Sequence, residues 1–427
     1  MQVRIGMKSN NPNRGSRLKS AVFASFFEPA NEIAQSLEAL SESEWRKALF
    51  WLDISGLALY LLDRLTALGV EKCLPPPILE RLQLSLAQNR ERTTALFREA
   101  VVISQALMKE NISLALLKGF TLPHEVVSDP VLRCQADIDI LIRESDAIAA
   151  RNVVLGFGYV HDSIKGSEWV FTAGTDKPMS MKSLYKVRPQ KMVELHVLPS
   201  EGGGALPAEQ DPLARAQLRS FSGIELPVLS PGDIFVQQAI HIFKHLCSEN
   251  TRAVWLLEYW RHVEARRGDS AFWRETRSIA EREPAVVVSI AAVTQMSAQL
   301  FGQSAPEELS CWSVDRLPPA VRLWIELYGR RILVTDPPGN KFYLFLKRQI
   351  QPGTGAAQAR WYRSLLPFHW WPSRITHGQA GEHLDARLTR YRIEAGFVLS
   401  RLQFHIRTCI PFVLESRRWR RRAYSGE

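Results

Sequence analysis

Cysteine is scarce in this sequence, and none of the cysteines lies where a disulfide framework or a metal motif would need it. The chain has five cysteines, an odd number, scattered widely and never in a C-x-x-C pair. A small secreted domain stapled by disulfides and a cysteine-ligated zinc module are therefore excluded. Unpaired, scattered cysteines are typical of a reducing compartment, so we predict a cytoplasmic location.

Long apolar runs are also lacking. A membrane-spanning helix needs roughly 20 consecutive apolar residues, and the longest candidates, around residues 255–257 and 397–402, are short and broken by charges. The apolar stretch at 21–27 follows a basic segment but lacks the small-residue cleavage pattern of a secretory signal. We expect no integral membrane protein and no secretory signal.

What is present is the composition of a folded, basic protein. Of the 427 residues, 46% are hydrophobic and 23% are charged, and the net charge is +10. A chain of this length exceeds the size of a single hydrophobic core, so two or three packed units are expected. Part of the charge lies in one cluster at residues 417–422, which predicts a solvated tail or a tail that touches an anionic surface; nucleic acid is a less favoured partner.

Hydrophobic periodicity separates helical regions from a region with strands. Apolar residues recur every three or four positions before residue 110 and after about residue 231, whereas short apolar runs lie between 112 and 198. We predict an α+β fold in which a small mixed β-sheet is flanked by helical regions. The predicted parts are a flexible N-terminus (1–27), a helical N-terminal unit (28–110), an α/β core (111–200), a helical substrate-side region (201–310) and a helical C-terminal region with the basic tail (311–427).

Two aspartates on one predicted strand are the strongest chemical signal. Asp137 and Asp139 are separated by one residue in an apolar run, so on a strand they lie on the same face. Two like charges side by side are costly unless a cation lies between them, and paired carboxylates suit a hard cation such as Mg²⁺. Glu194, the lone carboxylate of a later apolar run, is the third ligand that we predict. We expect these three catalytic residues to hold two magnesium ions.

A basic turn upstream of the aspartates suggests a phosphate site. The predicted strand at 114–117 ends in Lys118 and Gly119, and a helix is expected to begin at about residue 120 or 121. Glycine lets backbone amides approach a phosphate, a helix N-terminus favours negative charge, and Lys118 adds a cation. Arg133 would add a bidentate grip on triphosphate oxygens. We therefore predict Lys118, Gly119 and Arg133 as nucleotide-binding residues.

Three histidines are candidates for the acceptor side of the site. His196 lies two residues beyond Glu194 and shares its strand face, where it could orient a ligand, contact a phosphate or act as a base. His241 and His245 are four residues apart on a predicted helix, a spacing that zinc sites use, although no third ligand is evident. For this pair we predict an acceptor-side role or packing of the helix on the sheet.

Around these residues the sequence resembles a known family. The runs LALLKGFTLPHEVVSDPVLRCQADIDILI, LGFGYV, VELHVLPS, QQAIHIFKHL and VWLLEYWRHV are similar to those of the uncharacterised nucleotidyltransferase family, within the polymerase-beta-like superfamily. The similarity covers about residues 107–263. It implies a small mixed sheet that carries the carboxylates, with the family motif on Lys118, Gly119, Arg133, Asp137, Asp139 and Glu194. One departure is the Lys-Gly-Phe turn, which replaces the superfamily's usual Gly-Ser or Gly-Gly.

Residues and resemblance together predict a magnesium-dependent nucleotidyltransferase. It would move a nucleoside monophosphate from a triphosphate such as ATP onto a hydroxyl acceptor, which is a small molecule, a peptide or a protein that the sequence does not specify. Two alternatives stay open. A non-catalytic nucleotide-binding or scaffold protein needs the same residues, and a DxD sugar-nucleotide glycosyltransferase also binds a metal and a diphosphate, although only one convincing strand precedes Asp137.

Overall fold

The N-terminal part of the chain is a group of helices around an apolar core. The computed structural model describes residues 14–174, 183–188, 190–199, 207, 210–221, 223–249, 251–335, 339–350 and 384–423. Ser41 and Glu44 form a capping box at the start of one helix, and Gly56 ends that helix in a left-handed conformation. The first helices are α1 (Arg14–Ala24), α2 (Ala30–Glu38), α3 (Glu42–Ser55), α4 (Ala58–Ala67) and α5 (Pro76–Lys109).

The long helix α5 connects the helical unit to the sheet. It begins at Pro76, which suits a first helical turn because proline has no backbone N–H to leave unpaired. Near its start, Leu82 belongs to the core of the helical unit, whereas Ile103 and Leu107 near its end belong to the core under the sheet. One continuous element thus fixes the position of the sheet relative to the N-terminal helices.

A seven-stranded mixed sheet follows and confirms the α+β class. α6 (Ala147–Gly156) is the helix between its second and third strands. β2 pairs in parallel with β5 and antiparallel with β1, and β1 pairs in parallel with β7. The order across the sheet is β3-β4-β5-β2-β1-β7-β6. The strands are β1 (Leu114–Leu116), β2 (Ile138–Arg143), β3 (Val160–Lys165), β4 (Glu168–Gly174), β5 (Gln190–Leu198), β6 (Gln217–Phe221) and β7 (Ile224–Val228).

The rest of the described chain is helical and returns to the N-terminal core. Ser230 caps the first of these helices by accepting from the backbone N–H of Asp233, and the indole of Trp51 donates to the carbonyl of Leu333 at 3.0 Å. The N- and C-terminal helices therefore share one core. The helices are α7 (Pro231–Leu246), α8 (Ala253–Ala265), α9 (Ser270–Ala280), α10 (Pro284–Phe301), α11 (Glu307–Ser310), α12 (Pro319–Trp324), α13 (Arg330–Val334), α14 (Tyr343–Ile350) and α15 (Leu384–Ala423).

The predicted flexible N-terminus needs a correction. Residues 1–13 lie outside the described part of the chain, but Arg14–Ala24 forms a helix. Leu18 and Val22 are four residues apart, so they lie on one helical face, and both are almost completely buried. Burial of that apolar face is what orders this part of the segment.

The predicted helical region from residue 201 onward also contains strands. β6 and β7 form an antiparallel hairpin, and β7 joins the sheet through the pairing of Leu116 with Val228. The periodic signal of this hairpin is weak because its strands are short, Leu218 is exposed and Pro227 interrupts the second strand. The sheet is consequently larger than the small one that the sequence predicts.

α10 is a helix that is long and apolar enough to cross a membrane. Its 18 residues have a mean hydropathy of 1.5, so the expectation that the chain lacks an apolar run of this size is wrong. The polar residues of this helix, such as Thr294 and Gln295, carry no charge. In the structure, 56% of the helix is buried against the rest of the protein. A core helix has the same properties, so α10 is weak evidence for a membrane span.

Candidate active site

The register of two parallel strands brings two carboxylates together. β2 and β5 pair so that Asp139 lies directly opposite Glu194. Residues that are opposite each other in neighbouring strands project to the same face of a sheet. Ile138 and Ile140 flank Asp139 and belong to the core on the other face, which leaves Asp139 on the face that carries the acids. Asp139 is nevertheless only 2% exposed.

Lys118 and His196 contact the same carboxylate oxygen. Lys118 Nζ lies 2.6 Å from Asp139 Oδ1, and His196 Nε2 lies 2.9 Å from it. Both nitrogens also lie 3.7 Å from Glu194 Oε2. His196 shares the face of Glu194 because the two residues are two positions apart on β5. Two carboxylates, one ammonium and one imidazole therefore form a compact group at the middle of the sheet.

The donor set fits a divalent cation. One ligand atom each from Asp139, Glu194 and His196 lie within 4.8 Å of one another. Asp139 Oδ2 is buried and accepts no hydrogen bond from the described residues, which is a costly state for a carboxylate oxygen. Oxygen ligands of this kind suit Mg²⁺. Of the predicted triad, Asp139 and Glu194 belong to this group; His196 takes the third place, and Asp137 lies beside the group.

The acids raise one another's cost of ionisation. Burial and the neighbouring charges of Asp139 and Asp137 raise the pKa of Glu194 to about 7. Burial and Asp139 likewise raise the pKa of Asp137. For Asp139, burial works against ionisation, but hydrogen bonds from His196 and Lys118 outweigh it and hold the pKa below its usual range. Full ionisation of all three acids near neutral pH therefore calls for more positive charge than Lys118 supplies.

The local structure after β1 differs from the helix that the sequence predicts there. No long helix begins after Gly119; Lys118–Thr121 is one turn of 3-10 helix, and Pro123 follows it closely. The prediction of a helix N-terminus at this turn is therefore wrong. The backbone of Lys118 has a positive φ of 57°, a left-handed conformation that non-glycine residues rarely adopt. Its ammonium contacts Asp139 and Glu194, while the side chain stays 31% exposed.

Gly119 lies against the end of the Gln135 side chain. A Cβ atom at this position would lie 1.9 Å from Gln135 Oε1. Gln135 Nε2 in turn donates to the backbone carbonyl of Asp137 at 3.2 Å. Any side chain at Gly119 would displace Gln135 and with it the support of the segment that enters β2. The glycine thus shapes the site through close packing.

Arg133 is held in a buried ion pair. Its Nε donates to Glu258 Oε1 at 2.7 Å, and the hydroxyl of Tyr60 donates to the same oxygen at 2.6 Å. Burial opposes its charge, but Glu258 raises the pKa of Arg133, which stays a cation. Its charge also acts on Asp137. The structure therefore places Arg133 near Asp137, beside α4 and α8, with Glu258 as its direct partner.

A pair of arginines that the sequence analysis did not assign lies close enough to Asp137 for their charges to interact with it. Arg92, on α5, donates to the backbone carbonyls of Leu184 and Gln135. Burial, reinforced by repulsion from Arg92, lowers the pKa of Arg188 to about 10, and Asp137 is among the charges that act on it. Arg188 Nε is buried and has no hydrogen-bond partner among the described residues. No local pattern marks these residues, because Arg92 lies 43 positions from the carbonyl of Gln135 that it contacts.

His241 and His245 pack against each other on α7. Their ring centroids are 4.6 Å apart, and Trp255 of α8 lies 5.0 Å from His241 and 4.4 Å from His245. Burial, with repulsion from neighbouring cations that include Lys118, lowers the pKa of His241 to about 3, so its ring is neutral. The pair belongs to an aromatic cluster in which His241 is close enough to Lys118 and Asp139 to interact with their charges.

A comparison with protein-family models decides the family. The model of an uncharacterised nucleotidyltransferase family matches residues 41–302. The chain belongs to this family. The matched segment runs from the capping serine of α3 to the end of α10 and contains the acids, the basic turn and the histidine pair. The family resemblance inferred from the sequence motifs is thus confirmed over a longer segment than the motifs cover.

Other comparisons add little to the family. Among solved structures, the chain is similar to the crystal structure of an antigenic nucleotidyltransferase-like protein from Paracoccidioides brasiliensis, at 14% sequence identity. The similarity covers 45% of this chain and 91% of that chain, with a TM-score of 0.28. Structural agreement of that size supports no further conclusion about this nucleotidyltransferase-family chain. None of the curated proteins matches it.

Proposed function

We propose that this member of the nucleotidyltransferase family is an active, magnesium-dependent enzyme that transfers a nucleoside monophosphate from a nucleoside triphosphate to a hydroxyl acceptor. The observation that carries the proposal is the pairing of Asp139 with Glu194 across β2 and β5. The buried Asp139 Oδ2, which lacks a partner among the described residues, supports it. Carboxylates are placed in this way where a cation is to be held against a polyanionic substrate.

Asp137, Asp139 and Glu194 are the residues that would hold magnesium, two ions in our hypothesis, with His196 beside them. When bound, magnesium would neutralise charge on the triphosphate and favour loss of the acceptor's hydroxyl proton. The acceptor oxygen forms a bond to the α-phosphorus, the bond from that phosphorus to the β-phosphate oxygen breaks, the hydroxyl proton passes to water, and pyrophosphate leaves. The contribution of the protein is positioning and charge.

Positive residues on one side of the acids would receive the triphosphate. Lys118 already contacts two of the acids and can reach a phosphate oxygen from the same position. Arg188 has a buried Nε that lacks a partner in the described chain, so its guanidinium is suited to a bidentate contact. Arg133 supports this side through its charge while it remains paired with Glu258. We assign direct phosphate contact to Lys118 and Arg188.

The topology of the sheet disfavours a glycosyltransferase. β1 is the one described strand that precedes Asp139's strand, and it pairs antiparallel with β2. A sugar-nucleotide glycosyltransferase needs several βα units before its DxD motif. The acids here lie instead on two parallel strands separated by a helix and a β-hairpin.

Pyrophosphate release tests the proposal. The wild-type protein is incubated with magnesium and each of the four ribonucleoside triphosphates, in extract fractions that supply an acceptor. We expect release that falls by at least about a thousandfold in Asp139→Asn and Glu194→Gln. Asp162→Asn, an exposed carboxylate on β3, is the matched control and retains full activity. Nucleotide binding without release in any fraction would favour the scaffold alternative. Release of nucleoside diphosphate from added sugar nucleotides, without pyrophosphate release from the triphosphates, would favour the glycosyltransferase.

A further inference from the structure

The C-terminal helix α15 is apolar on two opposite faces. Its inner face packs on the body of the protein: Phe412 stacks on Phe345 at 4.8 Å between ring centroids, and Trp419 stacks on the same ring at 5.6 Å. Phe404, Phe412 and Trp419 are almost completely buried. The helix is 40 residues long, or about 60 Å, and these contacts account for one face of its second half.

The opposite face carries an apolar stripe that is exposed. Successive spacings of seven, four and three residues, with a last member four residues beyond the third, place its members on one side of the helix. Ile406 is 64% exposed and Ile410 is 69% exposed, whereas Phe412 on the inner face is 1% exposed. A surface helix normally turns polar residues outward, so this stripe is unusual. We call it the outer stripe; its members are Leu399, Ile406, Ile410, Val413 and Leu414.

Arginines line the outer stripe. Arg392, Arg407 and Arg417 are exposed and lie on the outward half of the helix, and the last turn contains three further arginines, at positions 420–422. The acidic residues of α15 are far fewer, and two of them, Glu394 and Glu415, are only partly exposed. The outward half of the helix therefore combines aliphatic side chains with strong positive charge.

We propose that the outer stripe and its arginines bind an anionic lipid surface, with α15 lying in the plane of the membrane interface. Aliphatic side chains enter the boundary between headgroups and acyl chains, while arginines at the edges contact lipid phosphates. The inner face stays on the body of the protein, so binding requires no rearrangement of Phe404, Phe412 or Trp419. The proposal extends the function of the protein beyond its acidic site and does not depend on that site.

The charge distribution selects this partner over two others. A second copy of the chain would bring one arginine-rich stripe against another, and like charges at such an interface are destabilising. A nucleic acid would match the arginines but would leave the aliphatic stripe in water, because phosphate backbones offer no apolar surface of that extent. An anionic bilayer satisfies both features of the same face.

Co-sedimentation with lipid vesicles tests the apolar half of the proposal. The full chain is mixed with vesicles of phosphatidylcholine alone or of phosphatidylcholine with phosphatidylglycerol. We expect binding to the anionic vesicles and a loss of about tenfold or more in partitioning for Ile406→Asp/Ile410→Asp. The matched control is Leu84→Asp/Ile148→Asp, whose wild-type side chains are 59% and 57% exposed on α5 and α6. The control is expected to bind like the wild type.

A charge variant tests the contribution of the arginines to lipid binding. Arg417→Glu/Arg421→Glu is expected to lower partitioning into anionic vesicles by about tenfold or more and to remove most of its salt dependence. Absence of vesicle binding by the wild type, or equal binding by the Ile406→Asp/Ile410→Asp variant, would overturn the proposal. Light scattering tests the main rival hypothesis, which is dimerisation through the outer stripe. If the wild type forms concentration-dependent dimers but does not bind lipid, and the Ile406→Asp/Ile410→Asp variant stays monomeric, the outer stripe binds a second copy of the chain.

Discussion

Lys118 and Asp139 form the central ion pair of the candidate site, with 2.6 Å between Lys118 Nζ and Asp139 Oδ1. The pair leaves Asp139 Oδ2 buried and without a partner in the described chain. Neighbouring acids outweigh the cost of burying the ammonium and raise the pKa of Lys118, so it remains a cation at physiological pH. The positive charge of Lys118 would attract a triphosphate, and it would also repel any cation held by Asp139 and Glu194.

Replacement of Lys118 by methionine should separate metal binding from catalysis. Repulsion between the ammonium and a bound divalent cation disappears, and such a term is on the order of 1–4 kcal/mol at this distance. We expect magnesium affinity to rise by about tenfold while turnover falls by about a hundredfold, because the phosphate contact is lost. Calorimetric titration of magnesium and pyrophosphate release measure the two effects. Parallel losses of both would contradict this role for Lys118.

Gly119→Ala should lower activity through Gln135. The new Cβ would meet Gln135 Oε1 at 1.9 Å, and the displaced glutamine would lose its hydrogen bond to the carbonyl of Asp137. We expect about tenfold lower activity with less than about 1 kcal/mol of destabilisation, because the end of the Gln135 side chain can move aside. In the double variant Gly119→Ala/Gln135→Ala the clash is absent. Its activity should equal that of Gln135→Ala alone; additive losses would show that the glycine acts in another way.

The pair of Arg133 and Glu258 should behave as a buried structural ion pair. Glu258→Leu leaves Arg133 charged and buried without its partner, which costs about 3–5 kcal/mol of unfolding free energy. The double variant Arg133→Met/Glu258→Leu removes both charges and is expected to recover most of that loss. Urea unfolding of Glu258→Leu, of Arg133→Met and of the double variant gives the coupling free energy. Additive losses would mean that the two residues do not stabilise each other.

Arg188→Gln should affect nucleotide binding without affecting stability. We expect KM for the triphosphate to rise by at least about tenfold, because one charge-assisted contact to phosphate is lost. The unfolding free energy should change by less than about 1 kcal/mol, since the buried Nε has no partner among the described residues to lose. Arg90→Gln on α5, whose side chain is exposed, is the matched control. An unchanged KM would remove Arg188 from the triphosphate site.

His262 should make the protein sensitive to acid. Its ring is completely buried beside Phe235 and Phe272, and burial lowers its pKa to about 3. The unfolded chain takes up a proton near the usual value of 6.5, so the folded state loses relative stability as pH falls below that value. The expected loss between pH 7 and pH 5 is about 2 kcal/mol. His262→Gln should lose this part of the acid sensitivity and keep the part that His241, whose pKa is also lowered to about 3, contributes. The control His124→Gln should keep both parts; identical pH profiles for all three proteins would exclude His262 as a source.

Much of the candidate site follows from local pattern. The alternation of Asp137, Ile138 and Asp139 predicts a strand with acids on one face, and Glu194 stands out as the lone acid in an apolar run. The structure brings Asp139 and Glu194 together in adjacent strands and adds His196 through the same period of two. Residues whose positions depend on strand periodicity were therefore predictable.

Residues whose positions depend on distant partners were not predictable. Arg133 meets Glu258, 125 positions away, so a local motif that suggested a phosphate contact could not show its partner. The helix expected after Gly119 is replaced by a short turn, because Pro123 stops it and Lys118 adopts a positive φ. Long-range packing and proline placement outweigh local pattern at these positions.

The fate of the two ends of the triphosphate is the most direct test of the central claim. Protein, magnesium and the extract fraction that supports pyrophosphate release are incubated with triphosphate labelled at either the α or the γ position. Nucleotidyl transfer predicts that the α label becomes attached to the acceptor and the γ label leaves in pyrophosphate, with both signals lost in Asp139→Asn and Glu194→Gln. Transfer of the γ label to the acceptor, or label movement that persists in both variants, would contradict the account.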